Sequence, residues 1–268
     1  MMRADVHMHT NFSHDSKSTP EEMILGAIAK GLQAVCFTDH HDKDDFAWGP
    51  EEVFKPEEYF KVMPPLRDKY KDKIDVRIGV EIGLQPYLEP FYREFVKKYP
   101  FDFVIGSVHS THKLDIAHGE IFDGKTDEEV YREVLEEMLE DVRIYEDYDV
   151  LGHLDYMIRY GKDKEQAYSY LKYAELIDEI LKNIIAKGKG LELNMAGLKY
   201  GLPYAHPHPD VLKKYRELGG EIITVGADGH CPEHIAWDFD KAKGIFRACG
   251  FTYYTEFKQR KPVFKQIS

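Results

Sequence analysis

The chain has 268 residues, 43% of them hydrophobic, and a formal net charge of −12. This length can bury the core of one α/β barrel, and the negative charge disfavours nucleic acid or an anionic membrane as partner. No apolar run reaches the ~18 residues of a membrane span, and the N-terminus has no apolar signal-peptide core. Cys36, Cys231 and Cys249 are too few for a disulfide framework, so we expect free thiols and a cytoplasmic protein.

The predicted elements alternate between strand and helix along the whole chain. Strands are predicted at residues 3–9, 33–38, 74–81, 101–109, 150–153, 188–194 and 221–225. Helices are predicted at residues 19–31, 56–71, 91–98, 126–145, 164–187, 210–218 and 240–249, the first of them starting at Thr19 and Pro20. A long polar loop with Trp48, Gly49 and Pro50 follows the second strand. Seven strand–helix pairs without a linker predict a single α/β domain, residues 1–268, with a parallel sheet.

His7 and His9 lie on the first predicted strand, where alternate side chains point to the same face. Taken alone, a His-x-His pair is more often two ordinary polar residues than half of a metal site. The other predicted strands, however, also end in or lead to polar residues, namely His40, Glu81, His109, His153, Asn194, Asp228 and His230. An open sheet concentrates its site at one switch point, whereas a closed barrel brings every strand end to one mouth. We therefore predict a closed or nearly closed (β/α)7 barrel with a metal site at its C-terminal mouth.

Six motifs resemble the metal-binding motifs of the PHP (polymerase and histidinol phosphatase) superfamily. They are His7-Met8-His9, Thr38-Asp39-His40, Glu81, His109, Gly152-His153-Leu154-Asp155 and Ala227-Asp228-Gly229-His230. The resemblance covers essentially the whole chain and implies a distorted, TIM-like (β/α)7 barrel around three divalent metal ions. Within the superfamily, the segments GHLDYMIRYG (152–161), LELNMAGLKYGL (191–202) and LGGEIITVGADGH (218–230) are similar to the histidinol-phosphate phosphatases.

The resemblance also implies which residues bind each ion. The first ion would take His7, His9, Glu81 and Asp228, the second Glu81, His109 and His153, and the third Asp15, His40 and His230. Glu81 would bridge the first two ions. His14 is an alternative to Asp15 at the third site, and we prefer Asp15 because it lies at the family's spacing, eight residues after His7.

This ligand set suits the hydrolysis of a phosphate monoester. Three dications, three carboxylates and a bridging hydroxide leave a charge of about +2, which matches a phosphate dianion. Bound metal ions lower the pKa of water, so a metal-bound hydroxide can attack phosphorus at working pH. Histidine and carboxylate ligands suit Zn, Mn or Fe, and the sequence does not choose between them. The predicted catalytic residues are Asp228, His230 and Glu81.

The candidates for substrate binding are Arg159, Asn194, Lys199 and His41. Arg159 follows His153 by six residues and should lie at the barrel mouth, where its planar fork can hold two phosphate oxygens. The alternative for Arg159 is a surface salt bridge with a loop acid. Asp39 and Asp155 are better suited to orienting neighbouring groups or starting helices than to binding metal. His206 stands beside a proline, which favours a structural or solvated role.

Together these patterns predict a metal-dependent phosphomonoesterase that converts L-histidinol phosphate to L-histidinol and phosphate in histidine biosynthesis. A second hypothesis is a PHP phosphoesterase that acts on nucleotides or another small phosphate ester. A hypothesis of another class is a non-catalytic metal-binding or polymerase-associated PHP module. The expected partner is a small-molecule phosphate monoester, with no nucleic acid and no membrane.

Overall fold

The computed structural model of the protein describes residues 2–44 and 54–267, so the predicted loop around Trp48, Gly49 and Pro50 lies outside the described residues. The strands in these ranges are short, and most are buried. In chain order they are β1 (Ala4–Asp5), β2 (Ala34–Phe37), β3 (His40–His41), β4 (Asp75–Gly83), β5 (Phe103–Ser107), β6 (Ser110–Thr111), β7 (Leu114–Asp115), β8 (Val150–Leu151), β9 (Gly190–Asn194), β10 (Ile223–Gly226), β11 (Tyr253–Lys258) and β12 (Lys261–Gln266).

The helices follow the strands in the predicted alternation. They are α1 (Pro20–Ala29), α2 (Pro56–Tyr70), α3 (Glu89–Lys98), α4 (Asp127–Ile144), α5 (Ala174–Ala186), α6 (Ala196–Lys199), α7 (Pro209–Glu217) and α8 (Phe239–Ala248). Thr19 caps α1 in a capping box with Glu22, which confirms the predicted helix start. Among the described helices, none has the length and apolar character needed to cross a membrane.

The main sheet is a parallel barrel that is nearly closed. Its strand order is β1-β2-β4-β5-β8-β9-β10, with β3 paired beside β4. After β1 the chain continues along the segment that follows β10: Asp228 N donates to His7 O at 2.9 Å and His9 N donates to Gly229 O at 2.9 Å. Because all these strands are parallel, their C-terminal ends meet at one mouth. The predicted (β/α)7 barrel is confirmed, and its seven strands match the seven predicted ones.

The helix predicted at residues 164–187 is wrong over its first ten residues. The chain there makes two short 3-10 turns, Lys164–Gln166 and Tyr170–Tyr173, and α5 begins only at Ala174. The buried carboxylate of Asp127 accepts hydrogen bonds from the backbone N–H groups of 162, 163 and 164, and Lys164 has φ +46°. A positive φ is incompatible with a right-handed helix, so this turn delays the helix start.

A C-terminal hairpin, β11–β12, was not predicted from the sequence. Its two-residue turn is Gln259 and Arg260, both with positive φ (52° and 61°), as tight hairpins require. Arg260 Nε donates to Asp149 Oδ2 at 2.6 Å, and the ring of Phe257 stacks on Phe103 at 5.0 Å. These contacts lie at the N-terminal ends of β5 and β8, so the hairpin covers the end of the barrel opposite the mouth.

Candidate metal centre

The nine residues predicted as metal ligands lie together at the mouth of the barrel. His40 pairs in register with Glu81, and Glu81 pairs with Ile105 next to the strand end that precedes His109. Six of the nine are buried, and only His40, His230 and Asp15 lie near the opening, Asp15 with a side chain 35% exposed. The nine are His7, His9, Asp15, His40, Glu81, His109, His153, Asp228 and His230.

The first group of side chains surrounds one point. His7 Nε2 and His9 Nε2 are 3.1 Å apart, and Glu81 Oε2 lies 3.1 and 3.5 Å from them. Asp228 Oδ1 is 3.9 Å from His7 Nε2 and 3.3 Å from His9 Nε2. Ligands that bind zinc tetrahedrally at 2.0–2.1 Å are about 3.3 Å from one another. The spacing of these four atoms therefore fits one divalent cation.

A second group shares Glu81 with the first. His109 Nε2 and His153 Nε2 are 3.4 Å apart, and Glu81 Oε1 lies 3.3 and 2.9 Å from them. Ser107 donates a hydrogen bond to the same Oε1 at 2.6 Å and so holds the carboxylate in place. The two oxygens of Glu81 thus face two different groups of imidazoles. This arrangement is what a bridging carboxylate requires.

The third group lies at the outer side of the mouth. Asp15 Oδ2 is 2.8 Å from His230 Nε2 and 3.8 Å from His40 Nε2. His9 stacks on His40 and His230 with ring centroids 4.1 and 4.2 Å apart, which joins this group to the first. The ring of His14 lies 5.6 Å from that of His40. The carboxylate of Asp15 thus lies within ion-pair distance of both imidazoles, and the choice of Asp15 over His14 stays a prediction.

Three residues that the sequence analysis missed orient the imidazoles. Glu192 Oε1 is 2.6 Å from His7 Nδ1, Asp42 Oδ1 is 3.0 Å from His109 Nδ1, and Ser13 Oγ is 3.1 Å from His9 Nδ1. Such partners fix the tautomer that leaves Nε2 free to bind a metal. A carboxylate between two leucines of β9 was the available signal for Glu192. Asp42 and Ser13 carried no comparable signal.

The two aspartates expected to orient neighbours make no direct contact with a ligand imidazole. Asp39 accepts hydrogen bonds from Thr10 and from Ser13 Oγ at 2.8 Å, so it reaches His9 only through Ser13. Asp155 Oδ1 lies 2.5 Å from His206 Nδ1. His206 is completely buried, so its role is not a solvated one.

The carboxylates of the cluster carry negative charge in the folded protein. Burial raises the pKa of Glu81, but the imidazoles of His7 and His109 outweigh it and hold the pKa well below its usual value. Burial also raises the pKa of Asp228, but the neighbouring His7 and His9 lower it more, so this pKa too lies well below the ordinary value. Buried negative charges need a positive partner, and a bound divalent cation can supply it.

Two imidazole nitrogens provide a separate test of whether metal fits here. His40 Nδ1 and His230 Nε2 are buried and make no hydrogen bond with any described residue. They nevertheless lie 3.1 and 2.8 Å from oxygens of Glu81 and Asp15. Buried polar atoms nearly always have a partner, and nitrogen and oxygen atoms that share a cation approach each other without an aligned N–H. The donor set therefore fits metal binding.

Three of the four candidate substrate residues lie beside Asp228. Arg159 Nη2 is 3.5 Å from Asp228 Oδ2, Asn194 Nδ2 is 3.4 Å from the same oxygen, and Lys199 Nζ donates to the backbone oxygen of Asp228 at 2.6 Å. The structure does not bring His41 to this group. Its buried ring packs against Phe95 at 4.1 Å, and burial lowers its pKa to about 4.

A family model described as the PHP domain matches residues 5–196. The chain belongs to the PHP family. This PHP protein is 34% identical to the histidinol-phosphatase of Lactococcus lactis subsp. lactis over 97% of this chain and 96% of the relative. It is 33% identical to the probable histidinol-phosphatase of Clostridium acetobutylicum over 97% of this chain and 95% of the relative. Such coverage means that the similarity to these PHP relatives is not confined to the metal motifs.

Solved structures extend the comparison. The PHP chain superposes with a TM-score of 0.87 and 33% identity on the crystal structure of histidinol phosphate phosphatase from Lactococcus lactis, covering 97% of this chain and 98% of that one. That crystal structure is a complex with zinc, L-histidinol and phosphate. The putative histidinol phosphatase from Listeria monocytogenes has the same fold, with a TM-score of 0.74 at 20% identity, over 89% of this chain and 99% of that one.

Proposed function

We propose that the protein is a metal-dependent phosphomonoesterase that hydrolyses L-histidinol phosphate to L-histidinol and phosphate, a step of histidine biosynthesis. The observation that carries the proposal is the buried carboxylate of Glu81, whose two oxygens face two imidazole groups at one barrel mouth. The similarity to the Lactococcus lactis enzyme over nearly the whole of both chains supports this substrate. The crystal structure of that enzyme contains zinc, L-histidinol and phosphate.

We propose that three divalent ions occupy the mouth. The first would be held by His7, His9, Glu81 and Asp228, the second by Glu81, His109 and His153, and the third by Asp15, His40 and His230. Bound divalent ions lower the pKa of coordinated water and neutralise the charge of a phosphoryl group. The mixed ligands suit Zn, Mn or Fe, and the zinc of the Lactococcus lactis structure favours zinc.

The residues beside Asp228 would bind the phosphate. The guanidinium of Arg159 lies over the rings of Tyr156 and Tyr200, 5.0 and 4.7 Å from their centroids, and its side chain is 7% exposed. Its planar fork can donate two hydrogen bonds to one phosphate group. Asn194, the last residue of β9, and Lys199, at the end of α6, approach the same place. His41 is left out of this proposal because its ring packs among aromatic side chains away from Asp228.

A small phosphate monoester is the partner that this site suits. The net charge of −12 opposes a polyanionic nucleic acid. Cys36, Cys231 and Cys249 are all free thiols, which fits a reducing cytoplasm. We therefore place the reaction in the cytoplasm.

A substrate panel tests the proposed function. kcat/KM is measured for the metal-loaded protein with L-histidinol phosphate, a nucleoside monophosphate and p-nitrophenyl phosphate. The proposal expects L-histidinol phosphate to be preferred. Preference for the nucleotide would favour the broader phosphoesterase hypothesis. Absence of turnover with every ester in the metal-loaded protein would favour a non-catalytic PHP module.

Arg159→Lys tests the phosphate-binding role. Lysine keeps the charge but loses the fork, and a charge-assisted hydrogen bond is worth ~1.5–3 kcal/mol, so kcat/KM should fall by roughly ten- to a hundredfold. Metal content, measured by elemental analysis, should not change. Arg143→Lys, at an exposed position near the end of α4, is the matched control. Wild-type kinetics in both Arg159→Lys and Arg159→Ala would exclude Arg159 from phosphate binding.

A further inference from the structure

Arg159 has a hydrogen-bond partner that lies outside the metal cluster. Its Nε donates to Nε2 of His206 at 2.9 Å, and His206 is completely buried. The backbones of His206 and Asn194 also exchange two hydrogen bonds. His206 N donates to Asn194 O at 2.8 Å, and Asn194 N donates to His206 O at 2.7 Å. His206 is therefore attached to the end of β9, and its position relative to the barrel is defined by backbone hydrogen bonds.

Asp155 determines which nitrogen of His206 carries the proton. Its Oδ1 lies 2.5 Å from His206 Nδ1, and its Oδ2 accepts a hydrogen bond from the backbone N of His208 at 2.7 Å. An ionised carboxylate can only accept, so the proton is assigned to Nδ1. Nε2 then has a free lone pair, and it faces the N–H of Arg159 Nε. Asp155, His206 and Arg159 thus form one hydrogen-bond network in which each donor faces an acceptor.

This hydrogen-bond network leaves the terminal nitrogens of Arg159 available for another anion. Nε is occupied by His206, while Nη2 is 3.5 Å from Asp228 Oδ2, too long for a strong hydrogen bond. We propose that His206 and Asp155 are positioning residues: they set the plane of the Arg159 guanidinium so that its two terminal nitrogens face the phosphate of the substrate. The proposal rests on the proposed function only in taking a phosphate as the anion.

Two substitutions of His206 separate the roles of its nitrogens. In His206→Gln the amide lies near the position of Nε2 and can still accept from Arg159, whereas in His206→Asn it lies near Nδ1 and can reach only Asp155. The dissociation constant of inorganic phosphate for the metal-loaded protein is measured by calorimetry. We expect His206→Asn to weaken phosphate binding about tenfold, the loss of one charge-assisted hydrogen bond, and His206→Gln to weaken it less than about threefold.

Asp155→Asn should have the effect of His206→Asn although residue 155 does not touch Arg159. The backbone N–H of His208 cannot give up its proton, so the amide oxygen stays there and the NH2 group faces His206 Nδ1. The imidazole proton then moves to Nε2, where two donors oppose each other and Arg159 loses its acceptor. In an Arg159→Lys background, both substitutions should change phosphate affinity by less than about twofold, because the group they position is absent.

The outcomes distinguish positioning from a purely structural role. Equal losses in His206→Gln and His206→Asn, or the same losses in the Arg159→Lys background, would overturn the proposal. Melting temperature and metal content of each variant report whether the fold is intact, and Asp155→Asn gives a second test if His206→Asn does not fold. If the expected order of phosphate affinities is found but L-histidinol phosphate is not hydrolysed, the proposed substrate is wrong while the positioning role stands.

Discussion

Glu192→Gln removes the carboxylate that orients His7 while keeping the size of the side chain. The two groups are 2.6 Å apart, and neither side chain is exposed. Glu192 Oε2 also accepts a hydrogen bond from the backbone N of His153 at 3.0 Å. A glutamine has one acceptor oxygen, and the fixed N–H of His153 will attract it. The NH2 group then faces His7 Nδ1 and drives the imidazole proton to Nε2, the nitrogen proposed to bind metal.

The expected loss follows from these contacts. The buried, charge-assisted hydrogen bond between Glu192 and His7 is worth ~1.5–3 kcal/mol. Each 1.4 kcal/mol is about a tenfold change in an equilibrium constant, so the ion held by His7 should bind roughly ten- to a hundredfold more weakly. Losses of this size are typical when a carboxylate behind a metal-binding histidine is removed.

Chelator competition measures the effect. Zinc dissociation constants are determined for the wild type, for Glu192→Gln and for Glu179→Gln, a matched control at an exposed position of α5. Only Glu192→Gln should lose affinity, and kcat at limiting zinc should fall with it. Unchanged zinc affinity for every bound ion in a folded Glu192→Gln protein would refute the reasoning, because His7 would then not depend on Glu192 for its tautomer.

Three other measurements address the metals and the stability of the fold. A chelator should abolish hydrolysis, and added zinc should restore it. Elemental analysis should find up to three ions per chain, and one ion in a fully active enzyme would contradict the three-ion proposal. Asp15→Asn should lower occupancy of the third site while the pair bridged by Glu81 persists, and the reverse result with His14→Ala would show that His14 is the ligand. Asp141 is fully buried without a described hydrogen-bond partner, and burial holds its pKa well above the usual value. The folded-state pKa of this carboxyl exceeds its unfolded value of about 3.9, so the carboxyl lowers the stability of the folded protein as pH rises above about 4. Asp141→Asn should therefore raise the melting temperature by about 2–4 °C at pH 7 and by less near pH 4.

The order of strands and the position of the candidate site could be predicted from the sequence. A polar residue directly after a short apolar run lies at the C-terminal end of a strand, and parallel strands bring those ends to one mouth. His40, Glu81 and His109 are placed by this rule alone, since the strands need only be parallel and neighbouring. The alternation of side chains along a strand likewise placed His7 beside His9.

The residues that orient these side chains depended on the tertiary structure. Glu192 is 185 positions from His7 along the chain, and His206 is 47 positions from Arg159. Their contacts exist because β9 and the segment after it close one side of the barrel, and the sequence contains no periodicity that reports such distances. Asp42 is a similar case, because its carboxylate reaches His109 in the segment after β5.

Local structure also departed from sequence pattern where a distant group competed for the backbone. Residues 164–173 have helical spacing, but Asp127, on α4, binds the N–H groups of 162–164 and so replaces the bonds that a helix start would need. The sequence by itself therefore determined which segments form the barrel strands and which of their ends carry chemistry, since both follow from neighbours along the chain. Tautomers, the plane of Arg159 and the start of α5 were decided only by the tertiary structure, because each depends on a partner that is near in space and far in sequence.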